Sequence, residues 1–112
     1  MCISEETVGK ALAFRDERDW KQFHNPKDLA LSLSLEASEL LELFQWKTSE
    51  QAVEKNRDKM MEEIADVMVY ALDFCDVMGF DPNEVIQAKL RKNAEKYPVE
   101  KARGKNLKYN EL

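Results

Sequence analysis

This 112-residue chain carries four acidic residues in two apolar segments. Their spacing would allow the four carboxylates to act together in a chemical site. Glu36 and Glu39 lie three residues apart among leucines, and Glu63 and Asp66 lie three residues apart in a second apolar segment. Residues with this spacing share one face of a helix. Carboxylates are rarely buried without a partner, and oxygen ligands suit hard cations such as Mg²⁺ or Mn²⁺. If two such helices pack antiparallel, the four carboxylates can converge on a divalent-metal site.

Other interpretations of these acids stay open. They could be solvated groups on exposed helix faces, as Glu42 and Glu62 are expected to be, because an ExxE pair is a weak motif by itself. A di-iron bundle is less favoured, since it requires Glu-x-x-His pairs and the one histidine, His24, lies outside both segments. The chain has no CxxC or HExxH motif that would favour zinc.

Composition limits the class of protein. The net charge of −5 argues against a binder of nucleic-acid polymers, which needs a basic face, but allows a small polyphosphate whose charge a metal neutralises. Two cysteines without a CxxC pair, Cys2 and Cys75, favour a reducing compartment. No signal peptide and no membrane-spanning segment is predicted, so we expect a cytoplasmic protein.

Cap residues and the scarcity of glycine and proline predict an all-α, four-helix bundle-like subunit. The predicted helices run from about Glu5 to Asp19 after a Ser4 cap, from Asn25-Pro26 to about Gln45, from about Glu54 to Met78 before Gly79, and from Pro82 to Lys96 after an Asp81 cap. Residues 20–25 are expected to form a loop, and Ser49 to begin a turn or short helix. We assign residues 1–98 to one helical domain and residues 99–112 to a basic tail.

The second predicted helix is apolar on nearly every side, with leucines from Leu29 to Leu43. A helix of this kind is buried all round. A domain of this size can hardly enclose it, so we expect another subunit to cover part of the helix.

Several other side chains could contact a ligand. Tyr70 lies four residues after Asp66 and could bind a sugar or phosphate, although a tyrosine there could equally be part of the core. Aromatic groups near the two ends of the second helix could stack on a base or close the core. They are Trp20, Phe23, His24 and Trp46. Residues at helical spacing in the fourth helix could bind phosphate or form a solvated face. They are Lys89, Lys92, Asn93 and Lys96.

Four blocks of the sequence carry a wider resemblance. The acidic pairs resemble the signature of the all-α nucleoside triphosphate pyrophosphohydrolases, the MazG-like superfamily. The blocks that are similar to its dCTP pyrophosphatase branch are Arg18-Asp19-Trp20-x-x-Phe23-His24-x-Pro26, Glu39-Leu40-x-Glu42-Leu43-Phe44-Gln45-Trp46-Lys47, Glu62-Glu63-Ile64-Ala65-Asp66-Val67 and Lys96-Tyr97-Pro98 with the tail to Leu112. At Ala11 the chain departs from that branch, where a histidine is expected.

The resemblance implies Mg²⁺-dependent hydrolysis of a nucleoside triphosphate, with dCTP or a modified dCTP expected, between the α and β phosphates. It also implies a homotetramer built as a dimer of dimers. By this match Glu36, Glu39, Glu63 and Asp66 hold the metal, and Glu36 or Glu39 handles the attacking water. The expected substrate-binding residues are Trp20, His24, Trp46, Tyr70, Lys89, Asn93, Lys96 and Tyr97.

Two rival functions stay open. The same fold could act on dUTP, another non-canonical nucleotide or phosphoribosyl-ATP. Alternatively, the chain could be a non-catalytic helical interaction module whose acidic residues are only surface groups. This hypothesis predicts no metal-dependent activity. Sanitation of the nucleotide pool and supply of dCMP are both compatible with the enzyme.

Overall fold

The computed structural model describes residues 3–112, and its regular elements are helices. No strand occurs in this part of the chain, which agrees with the all-α prediction. None of the helices in residues 3–112 is both long and apolar enough to cross a membrane. Met1 and Cys2 lie outside the described residues, and so does the prediction for Cys2.

The chain divides into two compact units, of which the first ends at Gly79. Its helices are α1 (Glu5–Glu17), α2 (Pro26–Glu42) and α3 (Ser49–Met78), with a 3-10 helix over Trp20–Phe23. The second unit begins at Phe80 and contains α4 (Pro82–Lys96), the short α5 (Val99–Ala102) and a 3-10 turn over Tyr109–Glu111. The four-helix arrangement as a whole, and the division at residue 98, stay predictions.

Four helix ends lie where local signals predicted them. The Ser4 hydroxyl accepts a hydrogen bond from the Thr7 amide, and the Asn25 side chain accepts one from the Asp28 amide, so each caps a helix N-terminus. Asp81 caps α4 in the same way. Gly79 ends α3 with a φ of 70°, a left-handed conformation that glycine adopts without steric cost.

The segment after α1 differs from the prediction. α1 ends at Glu17 rather than near Asp19, because Asp19 adopts a left-handed conformation with a φ of 54°. The expected loop is a 3-10 helix instead. The Gln22 side-chain amide stabilises this turn by donating to the Asp19 carbonyl at 3.0 Å and to its carboxylate at 2.8 Å.

The connection between α2 and α3 is also shorter than predicted on the α3 side. Thr48 and Gln51 form a capping box that starts α3 at Ser49, so the expected short helix and the third helix are continuous. The backbone departs from helical geometry at Asn56, where φ is −118°. The Asn56 side chain donates to the Leu43 carbonyl at 3.0 Å, which accounts for the kink close to the predicted helix start. On the other side of the connection, α2 ends at Glu42 rather than Gln45.

Packing in the first unit joins α2 to α3 along their length, and α1 also contacts α3. Leu29 and Ala52 are its buried apolar residues among those described. Arg15 is buried as well, with only 3% of its surface exposed. Its guanidinium donates to Asp76 of α3 at 2.7 Å and to Asp16 at 2.9 Å, so an ion pair ties α1 to α3.

The basic tail contains a short helix and a 3-10 turn in the second unit. The rings of Tyr97 and Tyr109 pack edge to face with centroids 6.3 Å apart. The Lys96 ammonium lies 5.0 Å from the centroid of the Tyr109 ring, within the range of a cation–π interaction.

We expect Arg15→Leu to lower the free energy of unfolding by roughly 2 kcal/mol, because it leaves Asp76 without its buried partner. Arg15→Lys keeps the charge but not the fork that reaches both acids, so an intermediate loss is expected. Urea denaturation measures both changes. A Leu variant as stable as the wild type would show that the ion pair does not stabilise the fold.

Candidate functional site

Two packed helices bring three of the four predicted ligands together. Glu36 and Glu39 lie one turn apart on α2, and Glu63 lies on the facing part of α3. Each offers a carboxylate oxygen, and these three oxygens lie within 4.8 Å of one another. Glu36 and Glu63 are half-buried, whereas Glu39 is exposed. We refer to Glu36, Glu39 and Glu63 as the carboxylate cluster.

Burial and neighbouring acids raise the proton affinity of the carboxylate cluster. Burial raises the pKa of Glu36 from its ordinary value of 4.5 to about 7, and a hydrogen bond with Glu39 and the charges of Glu39 and Asp66 add to this effect. Burial also raises the pKa of Glu63, again with a contribution from a hydrogen bond with Glu39. The chain alone therefore does not compensate these charges.

The donor set fits a hard divalent cation. The Oε2 atoms of Glu36 and Glu63 are buried, and neither has a hydrogen-bond partner among residues 3–112. A buried carboxylate oxygen without a partner is costly, and a coordinated cation would remove that cost. Oxygen-only ligands match Mg²⁺ or Mn²⁺ better than zinc.

Asp66 occupies a different position from the other three acids. It is exposed, and its oxygens do not belong to the group within 4.8 Å. Its charge nevertheless raises the pKa of both Glu36 and Glu63, so it lies close enough to act on the cluster. Its role as a fourth ligand stays a prediction.

Three of the predicted substrate residues line one cavity of about 310 Å³ in the first unit. They are Trp20, His24 and Tyr70, and the wall is completed by Phe23, Asp28 and Ser32. The Phe14 ring packs edge to face against Trp20 at a centroid distance of 5.8 Å, and the Arg18 guanidinium lies 3.6 Å from the Phe14 ring centroid. These contacts position Trp20 in the wall of the cavity. We call this cavity the aromatic pocket.

Trp46 does not line the aromatic pocket. Its side chain is 92% exposed, and its backbone has a φ of 63° in the turn after α2. A larger cavity of about 470 Å³ lies at the end of α2, between Ser38 and Gln45. Its lining includes neither a metal-ligand candidate nor any of the predicted base-binding aromatics.

The remaining predicted substrate residues belong to α4 and its C-terminus in the second unit. Lys89, Asn93 and Lys96 follow helical spacing on α4, and the Asn93 carbonyl accepts a hydrogen bond from the Tyr97 amide at 2.8 Å. Lys96 and Tyr97 also contact Tyr109, as described above. Their contact with a ligand stays a prediction.

Sequence reasoning missed several residues around the aromatic pocket. Asp28 and Ser32 follow the Asn25-Pro26 helix start at one-turn spacing from each other, a pattern that could have placed both on one face of α2. Asp73 lies three residues after Tyr70 and is buried, with only 3% of its surface exposed. Asp73 stands between Leu72 and Phe74 in the sequence, and an acid in that apolar setting is the kind of signal that singled out Glu36.

Comparison with known proteins decides the family. The MazG-like family matches residues 31–112, which include the carboxylate cluster and all of α4. This chain belongs to the MazG-like family. The resemblance found in the sequence is thereby confirmed.

Curated relatives and a solved structure resemble this MazG-like chain. It is 38% identical over 104 residues to dCTP pyrophosphatase 1 of Mus musculus and to that of Homo sapiens. Each match covers 88% of this chain and 61% of the relative, so the MazG-like chain spans about three-fifths of the length of these proteins. The crystal structure of a pyrophosphatase from Archaeoglobus fulgidus DSM 4304 superposes with a TM-score of 0.78 at 44% identity, covering 84% of this chain and 91% of that protein.

We expect the metal-free MazG-like chain to lose stability as pH rises from about 4.5 to about 7. The pKa of Glu36 is higher in the folded than in the unfolded state, so the folded state holds the proton more tightly. The resulting stabilisation is complete below the unfolded pKa and is lost as pH rises through the folded one. Thermal unfolding with a chelator, at about pH 5 and about pH 8, measures this loss.

Glu36→Gln should flatten this pH dependence, whereas Glu42→Gln, which changes an exposed acid on the same helix, should leave it intact. Mg²⁺ should raise the unfolding temperature of the wild type more at the higher pH, because binding requires ionised ligands. Identical pH profiles for the wild type and Glu36→Gln would contradict the raised pKa.

Proposed function

We propose that this chain is a divalent-metal-dependent nucleoside triphosphate pyrophosphohydrolase. It would cleave between the α and β phosphates and release a nucleoside monophosphate and pyrophosphate, with dCTP or a modified dCTP as substrate. The observation that carries the proposal is the carboxylate cluster, in which two buried oxygens have no partner among the described residues. The similarity to dCTP pyrophosphatase 1 proteins supports the choice of base.

Glu36, Glu39 and Glu63 would hold Mg²⁺, with Mn²⁺ as a substitute and Asp66 as the fourth ligand. Such an ion supplies a Lewis acid for the phosphate oxygens and a positive charge opposite the pyrophosphate leaving group. The protein's own residues would place the carboxylate oxygens and accept a proton. Glu36 would also accept the proton that water loses on attack, and Glu39, one turn away on α2, would orient the same water.

The other candidate residues would bind the rest of the nucleotide. Trp20, His24 and Tyr70 of the aromatic pocket present faces on which a base can stack. Trp46 would contact the base from the turn after α2. The residues proposed to contact phosphate and sugar are Lys89, Asn93, Lys96 and Tyr97.

We also propose a homotetramer, arranged as a dimer of dimers. Leu31, Leu35 and Leu41 of α2 are more than half exposed, with 71% of the Leu41 surface accessible. Met61 of α3 is 63% exposed. An exposed apolar surface that runs along two packed helices is typical of a subunit interface, since isolated soluble domains seldom expose so much of it.

A pyrophosphate-release assay over deoxyribo- and ribonucleoside triphosphates tests the activity. With Mg²⁺ we expect hydrolysis of dCTP by the wild type, and a loss of roughly 100-fold or more in Glu39→Gln and Asp66→Asn, because each removes a charged metal ligand. Both variants should stay folded, and neutralising one of several repelling acids can raise their stability.

Glu42→Gln is the matched control for that assay, because Glu42 is an exposed acid on α2 outside the carboxylate cluster. It should hydrolyse dCTP like the wild type. If the wild type releases no pyrophosphate from any nucleotide, the proposed activity is wrong.

Light scattering tests the oligomer. The wild type should scatter as a tetramer at micromolar concentration, and Leu35→Lys should give smaller species because a charge in an apolar interface is costly. Lys59→Glu, a charge change at an exposed polar position of α3, is the control and should not dissociate it. A stable wild-type monomer would rule out the interface.

A further inference from the structure

A second buried acid lies outside the carboxylate cluster, on the part of α3 that follows Tyr70. Asp73 exposes only 3% of its surface, and its Oδ1 atom has no hydrogen-bond partner among residues 3–112. Such a carboxylate oxygen has lost its hydrogen bonds to water and gained none from the protein. This costs free energy, so buried polar atoms without a partner are uncommon in folded proteins.

The neighbouring charges do not satisfy this oxygen. The Arg15 guanidinium is a cation of the same buried region, but it donates its hydrogen bonds to Asp16 and Asp76. Burial raises the pKa of Asp73, and the charges of His24 and Arg15 act in the opposite direction without removing the effect. Asp73 thus receives electrostatic support but no donor for Oδ1.

Position connects Asp73 to the aromatic pocket. Tyr70, three residues earlier on α3, lines that pocket, and side chains with this spacing lie side by side on a helix. His24 lines the same pocket, and its charge acts on Asp73. The Nδ1 atom of His24 is also buried without a partner among the described residues. His24 thus brings an unsatisfied imidazole nitrogen to the pocket wall. The unsatisfied oxygen of Asp73 lies behind that wall, one helical turn from Tyr70.

We propose that Asp73 determines base specificity, with its Oδ1 accepting a hydrogen bond from the exocyclic amino group of the base and His24 bonding to the neighbouring ring nitrogen. This inference rests on the proposed function and names Asp73 as the residue that selects an amino-bearing pyrimidine.

Base chemistry explains the choice. Cytosine carries an N4 amino group that donates and an N3 atom that accepts, and acidic side chains are known acceptors for that amino group. Uracil has a carbonyl oxygen at the same position, which would face the Asp73 carboxylate as acceptor against acceptor. A buried polar group built to bond one substrate rejects an analogue that leaves the group unpaired. A protonated Asp73 would reverse the preference, since its hydroxyl would donate to the uracil carbonyl.

The experiment compares dCTP with dUTP, which differ at this position of the ring. The wild type should favour dCTP, and in Asp73→Asn the ratio of the two kcat/KM values should fall by about 10-fold or more, because the amide both donates and accepts. Asp73→Ala is the second variant. It should also lose the preference for dCTP, because it removes the acceptor without adding a donor. Circular dichroism of both variants checks that they are folded.

Asp76→Asn is the matched control. It removes the same charge one turn further along α3, at a residue whose carboxylate is already paired with Arg15. It should reduce stability and change the dCTP to dUTP ratio by less than about twofold.

Binding separates this inference from the proposed activity. Calorimetry with dCMP and dUMP, in the absence of metal, should show tighter binding of dCMP by the wild type and loss of that preference in Asp73→Asn. That result supports the inference even if no triphosphate is hydrolysed. A wild type that hydrolyses dCTP while Asp73→Asn keeps its base ratio, or a wild type that prefers uracil, overturns the inference and leaves the proposed activity standing.

Discussion

Repulsion between carboxylates at the α2–α3 interface is the constraint on which the rest of the first unit depends. Two helices that pack this closely normally bury apolar side chains at the contact. Here the contact contains Glu36, Glu39 and Glu63, with oxygens within 4.8 Å of one another. Burial first, and then the hydrogen bond with Glu39 and the charges of Glu39 and Asp66, raise the pKa of Glu36, so the metal-free site holds a proton more tightly than an exposed glutamate does. A divalent cation is the other response available, and it turns an unfavourable arrangement into a binding site.

Charged groups also take a large part in the interior of this unit. Leu29 and Ala52 are buried, but so are Arg15, Asp73 and the polar Asn56. Each of these polar residues joins segments that are distant in the sequence or stands beside a pocket. The apolar side chains of α2, in contrast, lie largely on the outside. Polar contacts thus take a large part in the interior of this unit, while much of its apolar surface is exposed.

The sequence predicted those features that depend on a few neighbouring residues. Ser4, Asn25, Asp81 and Gly79 act within one turn of the helix ends that they define, so their patterns could be recognised directly. The spacing of Glu36 and Glu39 placed both on one face for the same reason.

Features that depend on tertiary contacts were not visible in the sequence. The Arg15–Asp76 pair joins residues 61 positions apart, and the kink at Asn56 depends on a carbonyl 13 positions earlier. The left-handed Asp19 and the 3-10 helix after it lacked the glycine that usually announces such a turn. Asp66 has the same spacing from Glu63 as Glu39 has from Glu36, yet its oxygens lie outside the group of three, because spacing defines a face and not a distance across the helix pair.

The hydrogen bond from Asn56 to the Leu43 carbonyl has a geometric effect at a distance. Leu43 is seven residues after Glu36, and Asn56 is seven residues before Glu63, so the bond lies about two helical turns from the carboxylates on both helices. A slip of one residue between the helices would shift the facing acids by about 1.5 Å along the axis and rotate one of them by about 100°. The bond therefore fixes the position of α2 relative to α3 along their axes, and with it which acids face each other. It does so without being part of the site that a ligand contacts.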